Sequence, residues 1–223
     1  SFIIGAGFDK NVYCVEMQSD TKLIVGGSFL NYKGSVARRI IRLNVDGSSD
    51  TSFASGAGFS NGDVRAVLIQ PDGRVLIGGA FSGTYNGTAV KRLIRVLPRG
   101  AFDVSFSANL NSPLYRMCFT PNNKLMIGGN FNSVAGVTKH RIARLLLCLD
   151  TTIWNGSAWD NGAPSSEKRI VFNGNYPVLN SANACSCSIS SGYSVGVPNG
   201  NTLGLVFDYS GSGTLILENN AAL

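Results

Sequence analysis

Short apolar runs separated by polar turn residues fill this chain, and one of these runs occurs three times. Its copies lie at residues 23–29, 75–81 and 125–131, which are 50 to 52 residues apart. Each copy has three apolar residues, two glycines, a variable residue and a phenylalanine. A fixed period of this length predicts a repeat architecture built from strands.

Each copy belongs to a longer unit. A six-residue apolar run precedes it, and a turn such as Ser19-Asp20-Thr21, Pro71-Asp72-Gly73 or Pro121-Asn122-Asn123 joins the two, which predicts a hairpin. A third run follows, and two units close with an Asp-x-Ser-Phe element at residues 50–53 and 103–106. Three strands and a short fourth in about fifty residues predict an all-β fold with one antiparallel propeller blade per unit.

The recurring glycines, phenylalanines and arginines are expected to be structural. Glycine lets a neighbouring backbone or ring approach where sheets crowd, and the phenylalanines would pack between adjacent sheets. One arginine of each third run would reach the carboxylate of Asp50 or Asp103. The positions assigned a structural role are Gly26, Gly27, Phe29, Gly78, Gly79, Phe81, Gly128, Gly129, Phe131, Arg42, Arg95 and Arg144.

These motifs together resemble a known repeat. The Asp72-Gly73 turn, the Gly-Gly-x-Phe run, Arg92-Leu93-Ile94-Arg95 and the closing Asp-x-Ser-Phe are similar to the delta-60 repeat of large bacterial secreted and surface proteins and of some phage structural proteins. The resemblance implies a β-propeller-like array over residues 1–149, with units at about 1–53, 54–106 and 107–149. The third unit lacks its closing element, so about 2.7 blades and a domain boundary after residue 149 are expected.

Residues 150–223 follow a different pattern. Apolar runs at 169–172, 187–189, 193–197, 203–207 and 214–218 are short and closely spaced, which predicts a β-solenoid or a small β-sandwich, with the solenoid favoured. Trp154-Asn155-Gly156, then Trp159 and Asn161-Gly162-Ala163-Pro164, resemble the module that joins repeats to sorting signals in proteins exported by the bacterial type IX route. Trp154 and Trp159 either cap a core, which is favoured, or stack on a glycan.

Charge is unevenly distributed. Residues 1–149 carry 17 Lys+Arg and 8 Asp+Glu, whereas residues 150–223 carry 2 and 5. A basic module can bind acidic polysaccharide, nucleic acid or an anionic surface, but the basic residues recur at fixed repeat positions, so a structural role is favoured and no nucleic-acid partner is expected. The chain has no run of 18 apolar residues, and no membrane span is expected.

Candidate chemistry is sparse, and we expect no catalytic, cofactor or metal site. The single histidine, His140, occupies a repeat position held elsewhere by Arg38 and Lys91. Residues 44–50 superficially resemble a calcium-binding loop, and calcium binding at this turn remains an alternative. Five cysteines predict no disulfide framework: Cys14 and Cys118 are expected in the core, while Cys185 and Cys187 would share one strand face and make a poor zinc site.

These features predict a non-enzymatic secreted or cell-surface protein for adhesion or display. Two alternatives remain: a phage fibre or tail component located in the virion, and a carbohydrate-binding or carbohydrate-active module. An open array leaves exposed edges, so further repeats of a longer parent chain, which we favour, or identical subunits in a trimer would be partners. Surface glycan and export machinery are further candidate partners.

Overall fold

The computed structural model describes residues 2–121, 124–145, 147, 150–165, 168–176, 179–205 and 209–218, so Asn122 and Asn123 of the third turn lie outside the described residues. The described residues form strands and turns with no helix, and the all-β class is confirmed. The chain divides into two compact units, residues 1–145 and 146–223. The sequence had predicted this boundary after residue 149.

The first unit contains three antiparallel sheets of three strands, which we call blades 1, 2 and 3. Blade 1 has the order β1-β2-β5, blade 2 β6-β7-β8 and blade 3 β9-β10-β13, so the glycine-pair strand is central in every blade. Two hairpins, β3–β4 in repeat 1 and β11–β12 in repeat 3, form separate two-stranded sheets. The bounds are β1 Val12–Met17, β2 Leu23–Gly27, β3 Asn31–Tyr32, β4 Ser35–Val36, β5 Ile40–Leu43, β6 Val64–Ile69, β7 Val75–Tyr85, β8 Thr88–Val96, β9 Leu114–Phe119, β10 Leu125–Gly129, β11 Ser133–Val134, β12 Val137–Thr138 and β13 Ile142–Leu145.

The three runs of each repeat therefore form strands where the sequence predicts them. The prediction of a short fourth strand is wrong. The closing element adds no strand to its blade: beside it there are only isolated bridges, Leu43 to Ser49 in blade 1 and Val96 to Phe102 in blade 2. In each closing element the aspartate carboxylate accepts hydrogen bonds from the serine two residues later, which folds the segment into a turn.

The main core of this unit lies between blades 1 and 2. Ile24 and Ile40 of blade 1 belong to the same buried cluster as Val64, Val67 and Ile77 of blade 2. Because successive side chains of a strand point to opposite faces, each blade has a front face toward the preceding blade and a back face toward the next one. Phe29, Phe81 and Phe131 are fully buried, and Phe81 belongs to this cluster.

The second unit is built from parallel strands, and its β-solenoid of about three turns confirms the favoured prediction. Four strands form one parallel sheet in the order β14-β15-β17-β20, and the pairs β16–β19 and β18–β21 are also parallel. The register aligns Trp154, Phe172, Ile189 and Gly211 across the large sheet. The bounds are β14 Asp150–Trp154, β15 Lys168–Phe172, β16 Ala182–Ala184, β17 Ser186–Ile189, β18 Ser194–Val197, β19 Leu203–Leu205, β20 Tyr209–Gly211 and β21 Thr214–Leu217.

Candidate functional site

The first glycine of each pair forms a socket between blades. A methyl group added at Gly26 would overlap Cγ1 of Val64, and one added at Gly78 would lie 2.5 Å from Cδ2 of Leu114. Val64 and Leu114 are the first residues of the innermost strands β6 and β9, so each blade inserts an apolar side chain where the preceding blade has no side chain. Both inserted side chains are 0% exposed. These contacts join blade 1 to blade 2 and blade 2 to blade 3.

The second glycine of each pair works within its own blade. Added methyl groups at Gly27, Gly79 and Gly129 would overlap the carbonyl oxygens of Asn11, Asp63 and Pro113 respectively. Each of these oxygens accepts a hydrogen bond from the backbone N–H of the residue after the glycine, at 2.8 to 2.9 Å. The second glycine is therefore required so that the incoming chain can cross close to the central strand.

The recurring arginines divide into two groups. Arg39, Arg92 and Arg141 have left-handed backbone angles, with φ between 55° and 70°. At these arginines the chain lies beside the glycine pair again. The Arg39 and Arg141 carbonyls accept hydrogen bonds from the Gly27 and Gly129 N–H groups, at 3.0 and 2.9 Å.

Arg42 and Arg95 instead clamp the closing element of their blades. Arg42 Nε lies 2.7 Å from Asp50 Oδ2, and Arg95 Nε lies 2.7 Å from Asp103 Oδ2. Each guanidinium also donates to the serine two residues after its aspartate and stacks over the following phenylalanine ring, at 4.9 and 5.0 Å. Arg42 Nη1 also donates to the Pro98 carbonyl of repeat 2, 2.9 Å away, which links two repeats.

The clamps change the titration of both carboxyl groups. Burial alone would raise the pKa of Asp50, but hydrogen bonds from Lys22 and Ser52 and the charge of Arg42 outweigh burial and lower it below its ordinary value. The pKa of Asp103 is lowered in the same way, because burial is outweighed by the Ser105 hydrogen bond and the Arg95 charge. Both aspartates are therefore ionised structural partners at neutral pH.

Repeat 3 departs from the other two at these positions. Arg144 is exposed and makes no ion pair among the described residues, whereas Arg42 is 4% and Arg95 3% exposed. The reason is that repeat 3 has no Asp-x-Ser-Phe element to supply a carboxylate. Gly128 also differs, because the nearest atom to an added methyl group is the Arg141 carbonyl oxygen at 3.9 Å.

Trp154 and Trp159 lie together in the second unit. Their ring centroids are 5.5 Å apart, and both rings pack against Tyr176 and the solenoid core. Trp154 Nε1 donates to the Asn175 carbonyl at 3.1 Å. Trp159 also lines a cleft of about 510 Å³ together with Tyr176, Asn180 and Asn183. Both tryptophans thus contact the core, and one of them faces open space.

The calcium-like turn uses its oxygens internally. The Asp46 carboxylate accepts hydrogen bonds from the N–H and hydroxyl of Ser48, at 2.9 and 2.7 Å. Asp50 is held by Arg42 and by Lys22, each at 2.7 Å, so a calcium ion would have to break those ion pairs to use it. In the described part of the chain no three His, Cys, Asp or Glu side chains lie close enough to hold a metal ion.

Three cysteine predictions are wrong, including the expectation that the cysteines form no disulfide. Cys118 is exposed on β9 instead of buried, while Cys14 is partly buried and packs against the core between blades 1 and 2. Cys185 is disulfide-bonded and lies at the bend between β16 and β17, so it does not share a strand face with the free, buried Cys187. Burial raises the pKa of Cys14 and Cys187 to about 12, which keeps both thiols neutral. His140 is exposed.

No helix among the described residues is both long and apolar enough to cross a membrane. Comparison with curated proteins and with solved structures gave no match. A family model described as a domain of unknown function (DUF5122) β-propeller matches residues 18–53, 70–106 and 120–147, one segment in each repeat. The first unit of the chain is therefore a β-propeller-like repeat array, similar to the family that this model describes, which is of the delta-60 repeat type.

Proposed function

We propose that this protein is a non-enzymatic scaffold outside the cell, in which a β-propeller-like array and a β-solenoid serve adhesion or display. The observation that carries the proposal is the use of the recurring charged side chains inside the blades. Arg95 is 3% exposed and Asp103 6% exposed, so neither reaches a ligand. A repeated charged pair that is buried within the blade, where its ion pair and hydrogen bonds hold the closing element, supports a structural role.

The disulfide at Cys185 supports the location. Structural disulfides persist in oxidising environments such as the extracellular space and are rare in the cytosol. Export by the type IX route is the finer form of this proposal, supported by the Trp-Asn-Gly stretch that begins at Trp154. For a phage protein, the corresponding location is the virion, where the chain would be a fibre or tail component.

Location is tested by labelling intact cells that produce the protein with a membrane-impermeant amine reagent. We expect labelling before lysis, at a level well above that of an abundant cytosolic protein in the same sample. Labelling that appears only after lysis would contradict an extracellular role, and recovery of the protein in purified phage particles would assign it to the virion.

Carbohydrate binding is a second candidate function, favoured by the cleft beside Trp159. An aromatic ring next to the amide side chains of Asn180 and Asn183 provides an apolar surface with polar groups around it, which is the usual composition of a small-molecule site. Trp154 is the matched control, because it packs against Tyr176 and donates to Asn175 but does not line the cleft.

A glycan array with the wild type, Trp159→Ala and Trp154→Ala tests this candidate. Binding that is lost in Trp159→Ala and kept in a folded Trp154→Ala variant would support it, and absence of binding to any glycan would remove it. A hydrolysis assay with the same polysaccharides checks the non-enzymatic proposal, since turnover of any of them would contradict it.

A further inference from the structure

Blade packing within the chain follows one rule, which is used twice. The first residue of the inner strand of each following blade fills the space above the first glycine of the preceding blade, as Val64 does at Gly26 and Leu114 at Gly78. The surrounding back-face residues are covered at the same time. Ile40 beside Gly26 is 1% exposed, and Leu93 beside Gly78 is 3% exposed.

Blade 3 has the same socket, and no described residue occupies it. The nearest described atom to a methyl group added at Gly128 is the Arg141 carbonyl oxygen, at 3.9 Å. Its partner across the strand pair, Ile142, is 63% exposed, although the equivalent residues of blades 1 and 2 are almost completely covered. The back face of blade 3, which carries Met126, Gly128 and Ile142 together with Cys118 and Arg144, is therefore a blade–blade surface that no other blade of the first unit covers.

Blade 1 has the matching side chain without a socket. Val12 is the equivalent of Val64 and Leu114, because all three pair with the second glycine of their blade, yet Val12 is 38% exposed. Val15 is 51% exposed, whereas its equivalent Val67 is 4% exposed. On the front face of blade 1 the inner strand, with Val12, Val15 and Met17, is exposed, whereas its equivalents in the other blades are buried or half-buried.

We propose that the back face of blade 3 binds the front face of blade 1 of a second copy of this chain, with Val12 of one copy inserted above Gly128 of the other. The contact repeats the geometry already present between blades 1 and 2, where a valine also fills the socket. Because the two faces are different surfaces, the association is head to tail, and such contacts close into a ring when the rotation permits.

The inner strands continue the same pattern. In blades 1, 2 and 3 the second inner-strand residues are Tyr13, Arg65 and Tyr115, and the Arg65 guanidinium lies 5.5 Å from the Tyr13 ring and 5.4 Å from the Tyr115 ring. A second copy in the proposed position brings its Tyr13 next to Tyr115, as an aromatic pair. Two copies supply six blades, within the range of about four to eight at which propellers close, whereas a trimer of three-blade chains exceeds it. The proposed assembly is a dimer.

Two substitutions test the contact from opposite sides. Gly128→Leu fills the socket, and the chain alone should accept it, because Gly128 lies outside the left-handed region and has free space around it. Val12→Asp places a charge on the inserted side chain, which is already partly exposed in a single chain. Val104→Asp is the matched control, since Val104 is 86% exposed and belongs to the middle repeat.

The measurement is sedimentation velocity over a range of concentrations, with thermal unfolding of each variant as a check on folding. We expect a dimer for the wild type and Val104→Asp, and a dissociation constant raised by more than about tenfold, or about 1.4 kcal/mol, in Gly128→Leu and in Val12→Asp. Mixing the two variants should give heterodimers held by one intact contact, because the Val12 of Gly128→Leu meets the Gly128 of Val12→Asp, while the second contact carries both substitutions.

Three results would overturn the proposal. The first is a wild type that stays monomeric at every concentration, and the second is dimerisation that survives both substitutions or is no stronger in the mixture than in either variant alone. The third is a Gly128→Leu variant that unfolds at a clearly lower temperature as a monomer, because the socket would then be filled within one chain. None of these outcomes depends on whether the protein is extracellular.

Discussion

Arginines with the same repeat position have different surroundings. Arg42 and Arg95 are buried against Asp50 and Asp103, while Arg144 is exposed without a carboxylate among the described residues. The stability that such a residue contributes depends on its partner, because a buried charge whose partner is removed retains its full desolvation cost.

Arg95→Ala should therefore destabilise folding by up to about 3–5 kcal/mol, since buried Asp103 would keep only the longer ion pair to Arg74, at 3.5 Å, and its hydrogen bonds from Ser105. Arg144→Ala is the matched control and should change the unfolding free energy by less than about 0.5 kcal/mol. Urea unfolding followed by circular dichroism measures both. Equal losses in the two variants would show that the Arg95–Asp103 contact does not stabilise the blade.

At this scale the sequence predicts contacts that depend on repetition. The pairing of Arg42 and Arg95 with the closing aspartates could be inferred because both partners recur at a fixed distance. The exposure of Cys118 could not, because an apolar strand pattern indicates which face is apolar but not whether another blade covers it. The Cys185 disulfide depends on contacts between distant segments, which cysteine spacing alone does not determine.

At the scale of elements, the Asp-x-Ser-Phe turn links charge to stability. Asp50 and Asp103 have lowered pKa values in the folded chain. A carboxyl group with a lowered folded pKa stabilises the fold above its unfolded pKa, and this contribution is lost as the pH falls through the folded value.

The unfolding free energy should therefore decline as the pH falls below about 4, the pKa of an unfolded aspartate. Asp103→Asn should start from a lower stability and show a shallower decline, because it removes one of the carboxyl groups whose pKa is lowered by folding. Urea midpoints measured from pH 6 to pH 2 give both slopes. Parallel slopes in the wild type and the variant would mean that Asp103 does not contribute to the pH dependence.

The solenoid has its own covalent constraint and its own optical probe. Both tryptophans of the chain, Trp154 and Trp159, lie in the second unit, so tryptophan fluorescence reports on that unit. Reduction with dithiothreitol should lower the stability of the fluorescence-detected transition by about 2–4 kcal/mol, because it removes the Cys185 disulfide. Cys118→Ser, at an exposed free thiol, should leave that transition unchanged, and insensitivity to dithiothreitol would contradict a structural disulfide.

The apolar pattern predicted the positions of the main strands, but it did not predict every strand correctly. The runs at 12–17, 64–69 and 114–119 are the observed strands β1, β6 and β9. The expected fourth strand is replaced by a turn, because its aspartate and serine hydrogen-bond to each other within the segment. The strands β14, β16 and β20 were missed, since they are short or rich in polar residues and show no apolar run.

At the scale of the whole molecule, the period of about fifty residues was sufficient to predict the propeller-like array, because each unit carries one complete set of strand and turn signals. The solenoid was harder to distinguish from a sandwich. Short apolar runs indicate strands, but the parallel pairing of β14, β15 and β17 depends on stacking that no local pattern specifies.

The central claim is that each blade fills the first glycine position of the preceding blade, and a double-mutant cycle at Gly78 and Leu114 tests it most directly. Gly78→Ala should cost about 1–3 kcal/mol by overpacking, and Leu114→Ala about 2–5 kcal/mol by leaving a cavity. The double variant should be more stable than the sum of these losses predicts, by about 0.5–3 kcal/mol, because the new methyl group occupies space that Leu114 vacates.

Gly79→Ala combined with Leu114→Ala is the control cycle, since a methyl group at Gly79 meets the Asp63 carbonyl instead of the Leu114 side chain. Urea unfolding of the wild type, the three single variants and the two double variants gives both coupling energies. The account predicts that coupling at Gly78 clearly exceeds coupling at Gly79. Additive losses at Gly78 and Leu114 would contradict it, because the two blades would then not share that space.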